Sequence, residues 1–132
     1  TQAVAVSAIG LIGSWPAGTY LDWTLSASRG KALGGQESFL ASFSNRGAKV
    51  ALTAPGVGVV STIFSSRWGV MSGTSMATPI ATGVLARRLA ASPAVKDLPR
   101  GAARSAEIVK MALQAAEDIH LPAGMQGKGL AR

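Results

Sequence analysis

Along this chain the spacing of apolar positions shifts from strand-like to helix-like near residue 75. Residues 3–12 (AVAVSAIGLI) are apolar on both alternations and rich in Val and Ile. They predict a strand buried on both faces, as in a parallel sheet. Residues 13–37 carry no clear period and hold Trp15, Pro16, Tyr20, Trp23 and the Gly34-Gly35 pair. They read as a long excursion with one short hairpin. Further strands are predicted at 38–45, 49–54 and 57–63, with a turn at Pro55-Gly56. A turn at Ser65-Ser66-Arg67 leads into residues 68–71.

From 75 to 91 (SMATPIATGVLARRLAA) apolar or small residues occupy nearly every side of a predicted helix. Most of that helix is therefore expected to be buried. Pro79 is expected at the end of its first turn, Gly83 at a close contact with another element, and Arg87-Arg88 at its negative pole. Residues 92–104, with Pro93, Pro99 and Gly101, read as a linker. Residues 105–119 predict an amphipathic helix with Ser105 as N-cap and Glu107 near the positive pole. Its apolar face would be Ile108, Met111, Ala112, Ala115 and Ile119, and Pro122 and Gly124 would close it. These elements make the chain α/β.

Composition sharpens this in one respect. Of 132 residues, 48% are hydrophobic and only 14% charged. A domain this small buries a modest share of its chain and needs more polar surface than that. Part of the surface is therefore expected to be covered by something outside this sequence. The net charge is +7, but Lys and Arg are scattered, the densest group being Arg87-Arg88 with Arg100 and Arg104. No basic stripe interleaves with aromatics, which argues against nucleic acid. The charge reads as solvated surface or as a match to an acidic partner segment. There is no cysteine, so there is neither a disulfide framework nor a thiolate metal site. No apolar run reaches the length of a membrane span. The chain opens on Thr1 rather than Met, which points to a segment of a longer polypeptide.

The chemistry-bearing segment is Met71-Ser72-Gly73-Thr74-Ser75-Met76-Ala77-Thr78-Pro79. It places a serine where a loop turns into a helix, beside unpaired N–H groups and the positive end of the helix dipole. An oxyanion forming at Ser75 would accept from the Ser75 N–H. Gly73 would let a substrate chain approach closely. Taken alone, a serine at a helix start is far more often an N-cap than a nucleophile.

Gly73-Thr74-Ser75-Met76-Ala77 followed by Pro79 resembles the nucleophile motif of the subtilisin-like serine peptidases, the subtilases. Residues 41–47 (ASFSNRG) with Ala54-Pro55-Gly56-Val57 are similar to the family's segment before it. Val4-Ala5-Val6-Ser7-Ala8 resembles the preceding strand, and Gly127-Lys128-Gly129-Leu130 the closing stretch. The matches stand in family order and span most of the chain outside residues 13–37.

The resemblance implies part of a three-layer fold with a mostly parallel central sheet. It implies that residues 1–132 are the C-terminal part of a catalytic domain. The nucleophile is then Ser75, its N–H is one oxyanion donor with Thr74 assisting, and Met71 and Ser72 line the leaving-group side of the cleft. The triad Asp and His and the oxyanion Asn would come from the N-terminal portion of the same protease as a separate chain, acting on a protein or peptide substrate. The alternative is an inactive relative that serves as an interaction module.

The family is mostly exported, which implies an extracellular or periplasmic location. No cofactor is implied in this chain, and Ca2+ is left to loops of the absent portion. Lys49 and Ala51 stand where some relatives place cation-binding carboxylates. Ile80 stands where many relatives carry a histidine, although not the catalytic one. His120 and Asp22 lack the family's catalytic contexts. His120 reads as a surface residue or helix C-cap. The aromatics of 13–37 are either an interface or an insertion packed on its own side chains.

Overall fold

The computed structural model describes residues 3–132. The apolar run at the start forms β1 (Ala5–Leu11), which is central in a four-stranded sheet. Its neighbours are β3 (Gln36–Leu40) and β4 (Val50–Pro55), and β2 (Arg29–Leu33) lies outside β3, giving the order β2-β3-β1-β4. β4 runs parallel to β1, whereas the β1–β3 and β2–β3 pairings are antiparallel. The expectation of a mostly parallel sheet is thus not met among the described residues. The excursion is the cause, because its hairpin returns as a pair of antiparallel strands. Gly34 and Gly35 form the turn, with φ of +59° and +84°. A type I′ two-residue turn needs positive φ at both positions, which glycine supplies without a Cβ clash. The strand expected over 38–45 is therefore earlier and shorter, and the chain leaves the sheet after Leu40.

Alternate side chains of β1 face opposite sides of the sheet, and each side has its own core. Val6 and Ala8 pack with Phe39, Ala41, Ala54, Val57, Ala77 and Ala81. Ile9 packs on the other side with Leu40, Ile119, Leu121 and Leu130. The first side is covered by α1 (Thr74–Ala90), whose buried residues are Ala77 and Ala81, one turn apart. These alanines meet other small residues on the sheet, so the helix sits close. The rest of α1 is not buried, contrary to expectation. Gly83 is exposed and a Cβ there would meet nothing within 4 Å. The small-residue pattern permits cover on all sides, but nothing among the described residues supplies it on the outer face. Pro79 falls inside the helix rather than in its first turn.

β5 (Val59–Ile63) and β6 (Arg67–Met71) form a separate antiparallel hairpin leading into α1. The linker contains the short α2 (Pro93–Lys96). The next helix, α3, spans Ala102–Gln114, displaced from the expected 105–119. Gly101 is its N-cap, and the Ser105 hydroxyl donates instead to the Gly101 carbonyl. Glu107 lies beyond the first turn and pairs with Lys110 at 3.4 Å. Ala112 is the buried residue of α3, and Ile119 is buried outside the helix, in the second core. Pro122 and Gly124 do not close α3 but open the short α4 (Ala123–Gln126).

The glycine-rich tail docks along β4. The Lys128 N–H donates to the Ala51 carbonyl, the Thr53 N–H to Gly129, and the Ala131 N–H to Thr53. Gly129 has φ of +124°, and a Cβ there would overlap the Glu117 carbonyl. Gln126, buried, accepts from the Ile119 N–H at 2.9 Å and donates to Asp118 at 2.8 Å and to the Leu121 carbonyl. Glu117 holds Lys31 of β2 and Arg132 of the tail together.

Three consequences are measurable by urea unfolding. Gly129→Ala is expected to cost about 3 kcal/mol or more, because backbone rather than a pliable side chain blocks the Cβ. Gly83→Ala, mid-helix and facing open space in this chain, is expected to stabilise it by about 0.5–1 kcal/mol. The third concerns acid. The Lys31 hydrogen bond, with Arg132 adding and partial burial opposing, holds the Glu117 carboxyl below its ordinary 4.5. Asp118 is likewise lowered, first by the His120 N–H and then by Gln126. A folded pKa below the unfolded one gives stability that is complete above pH 4.5 and lost as pH falls through the lowered value. The unfolding midpoint should therefore drop below that pH, and Glu117→Gln should flatten part of the slope.

Candidate active site

The start of α1 is built from the β4 exit upward. The Gly56 N–H donates to the Ile9 carbonyl at 2.8 Å, and the Gly73 N–H donates to the Gly56 carbonyl at 2.8 Å. A Cβ at Gly56 would lie 2.6 Å from the Ala8 Cβ, 2.8 Å from the Gly73 oxygen and 3.2 Å from the Ala77 Cβ. Glycine is therefore the residue that lets the serine-bearing loop lie this close to the sheet. Two residues along, the Gly58 N–H donates to Ser72 Oγ at 2.9 Å. Gly58 has φ of +65°, a second reason for glycine in this turn. The pattern Pro-Gly-x-Gly was legible, but its use as an anchor for residues 72 and 73 was not, because the two segments are distant in sequence.

Gly73 is the N-cap of α1, so Thr74 is the first helical residue and Ser75 the second. No side chain caps this end. Ser75 is exposed. Among the described residues, neither its N–H nor its hydroxyl makes a hydrogen bond to the rest of the chain. The reading of Ser75 as a cap is thereby removed. An N–H at this position has no carbonyl four residues back within the helix, and it lies at the positive end of the dipole. Pro79, four residues on, has no N–H to offer the Ser75 carbonyl. The helix therefore begins with Ser75 attached to its neighbours by covalent bonds and little else.

The other candidate residues surround it in different ways. The Thr74 carbonyl accepts from Thr78 Oγ1 at 3.0 Å, and Thr74 is half-buried. Gly73 has φ of 163°, extended backbone open to any residue. A Cβ there would meet Met76 Sδ at 3.4 Å and the Ser75 nitrogen at 3.7 Å, ordinary contacts. The chain's own packing thus does not demand glycine at 73. Ser72 is half-buried against Gly58, and Met71 ends β6 paired with Val59, its side chain exposed.

No acidic side chain lies in the first turn of α1. His120 is exposed, lies beyond α3 and is not its C-cap, which is Ala115. Its neighbours Ile119 and Leu121 belong to the core on the opposite side of the sheet from Ala77 and Ala81. Asp22 is occupied: Oδ1 accepts from Trp15 Nε1 at 2.7 Å and Oδ2 from the Gly18 N–H at 2.7 Å. It braces the excursion. The described residues bring together a serine, a free N–H and a helix dipole, with no base. Among them, no cluster of His, Cys, Asp and Glu could hold a metal ion.

Comparison with known proteins places the chain in a family. The sequence pattern of the Subtilase family matches residues 2–129. The chain is 57% identical over 47 residues to a thermophilic serine proteinase of Bacillus sp. (strain AK1), covering 36% of this chain and 12% of that protein. It is 46% identical over 72 residues to subtilisin-like protease 11 of Trichophyton verrucosum, covering 54% and 17%. It is 43% identical over 58 residues to the halolysin-like extracellular serine protease Nep of Natrialba magadii, covering 44% and 11%. The matches thus span less than a fifth of these relatives' lengths.

The anchoring of the serine loop can be tested without reference to activity. Ser72→Ala removes the acceptor for the Gly58 N–H. It is expected to cost about 1 kcal/mol or somewhat more. Amide hydrogen exchange at Gly58 should accelerate by about tenfold, as such a loss implies.

Proposed function

Because this chain belongs to the subtilase family, we propose that Ser75 is the nucleophile of a serine endopeptidase whose triad is completed by a further polypeptide, the N-terminal portion of the same protease. The observation that carries the reading is the state of Ser75: exposed, not a cap, and with an unengaged N–H at the positive end of α1.

In this mechanism a histidine of the partner portion, oriented by its aspartate, takes the Ser75 Oγ proton as Oγ attacks the scissile carbonyl carbon. The carbonyl oxygen becomes an oxyanion that accepts from the Ser75 N–H and from the partner's asparagine, in the field of the helix dipole. The histidine returns its proton to the leaving amine, and water then hydrolyses the acyl-enzyme. Thr74 supports the oxyanion side, and Met71 and Ser72 line the leaving-group side. Gly73 keeps room for the substrate backbone, which accounts for a glycine that the chain's internal packing does not require.

Several features support a missing partner. The outer face of α1 is uncovered, although its residues are small enough to accept a neighbour. Phe64 and Trp68 of the β5–β6 hairpin, which lie outside the groove lined by Val60 and Val70, are exposed. The +7 charge suits a more acidic complement. The relatives it matches are named proteases and are far longer than the matched segments. With the partner, helices would lie on both sides of a larger and more parallel sheet. An extracellular location is part of the proposal; the Natrialba relative carries that word in its name. Calcium belongs, if anywhere, to the partner portion.

A fluorophosphonate probe applied to the assembled protein is expected to label Ser75, and Ser75→Ala to abolish both labelling and peptide hydrolysis. Labelling mapped by mass spectrometry decides it. An intact assembly that leaves Ser75 unlabelled would instead be the inactive interaction module.

A further inference from the structure

Resting on the reading of Ser75, we propose that the groove between the 13–37 excursion and the β5–β6 hairpin is a substrate subsite for an apolar, preferentially aromatic, side chain on the leaving-group side of the cleaved bond. The groove holds about 350 Å³ and is lined by Trp15, Pro16, Tyr20, Leu21, Val60 and Val70. That volume is in the range of clefts that take small organic groups. Tyr20 is 60% and Val60 62% exposed, an apolar rim left open to solvent.

Its position ties it to the serine. Val70 precedes Ser75 by five residues, so the two are at most about 18 Å apart, a span that an extended peptide covers in about five residues. In that reading the intervening Met71 and Ser72 line the leaving-group side, and Val70 joins the groove to them along β6. Gly58, also at the groove, donates its N–H to Ser72 Oγ. Groove floor and serine loop are therefore joined through space as well as along the chain.

The walls are prearranged. Trp15 is held by Asp22 and stands edge-on to Phe39, with ring centroids 5.8 Å apart at 76°. Asp22 in turn fixes Gly18. A site already rigid loses little entropy on binding. Thr19 adds a polar signal: it lines the groove, and its hydroxyl is buried without a partner. A χ1 rotation of about 120° exchanges hydroxyl and methyl. A peptide amide or carbonyl in the groove would then supply the missing hydrogen bond. That need favours a peptide over a purely apolar occupant.

The experiment uses the assembled protein and two quenched fluorescent peptides that differ only in Phe or Gly at a position after the scissile bond. Each of the first few positions is scanned. At one of them, Phe is expected to raise kcat/KM by about tenfold or more over Gly. Tyr20→Ala should bring that ratio close to one, and leave the Gly peptide and the rate of fluorophosphonate labelling of Ser75 unchanged. Thr19→Val should lower kcat/KM for the Phe peptide with labelling intact. A Phe preference that survives Tyr20→Ala, or no preference in a protein that labels normally, overturns the subsite. So does a Tyr20→Ala protein that loses thermal stability and cleaves both peptides equally poorly, since the groove would then be filled by the protein's own chain. Absence of labelling in the parent protein overturns the Ser75 reading instead. In that case, anisotropy of the labelled Phe peptide on Ser75→Ala still tests the groove: binding must weaken about tenfold with Tyr20→Ala for the proposal to stand.

Discussion

Everything at the candidate site depends on how closely the start of α1 approaches the sheet, and that distance is governed by Gly56. Its N–H is bonded to Ile9 of the central strand and its carbonyl accepts from Gly73, two residues before Ser75. It lies so near Ala8 and Ala77 that any Cβ would force the helix outward. The alanines complete the arrangement, because larger side chains at 8, 54, 77 or 81 would lift the helix axis and the serine with it. Interiors are close-packed, so a displacement of this kind is transmitted rather than absorbed. Position of Ser75 and packing of the core are one constraint.

A second constraint works from the other side of the sheet. The tail pairs with β4, Gln126 knits residues 118–121, and Glu117 joins the tail to the hairpin of the excursion. The excursion is therefore an integral edge of the sheet and not an appendage. Its hairpin supplies β2 and part of β3, its Trp15 reaches the first core, and of its aromatics Tyr20 and Trp23 are exposed. Of its aromatics, Trp15 packs within the chain, whereas Tyr20 rims an open groove.

The strands at β1, β4 and β5 and the long helix were legible because their patterns are local: both-face apolar runs, a Pro-Gly turn and an alanine-rich stretch. The second long helix was displaced because Ser105 and Glu107 imitate a helix start, whereas Gly101 begins it. Its far end was overrun because Ile119 keeps helical spacing while belonging to the second core. The outer face of α1 was misjudged because small residues signal tolerance of a neighbour, and a neighbour need not belong to the same chain. At the site, Ser75 was legible by its motif. The anchoring by Gly56, Gly58 and Ser72 was not, because hydrogen bonds between segments leave no periodic trace.

By itself the sequence determined the strands β1, β4 and β5 and that Ser75 stands at a loop-to-helix junction within a family motif. A motif of small residues at a loop-to-helix junction is a local property and can be read locally. Only the tertiary structure decided that Gly73 rather than Ser75 caps the helix, that Asp22 braces the excursion, that His120 is exposed beside the core on the far side of the sheet, and that the excursion meets the β5–β6 hairpin to form a groove. Those outcomes depend on contacts between residues far apart in the chain, whose energies are set by fit, and fit is defined only once the chain has folded.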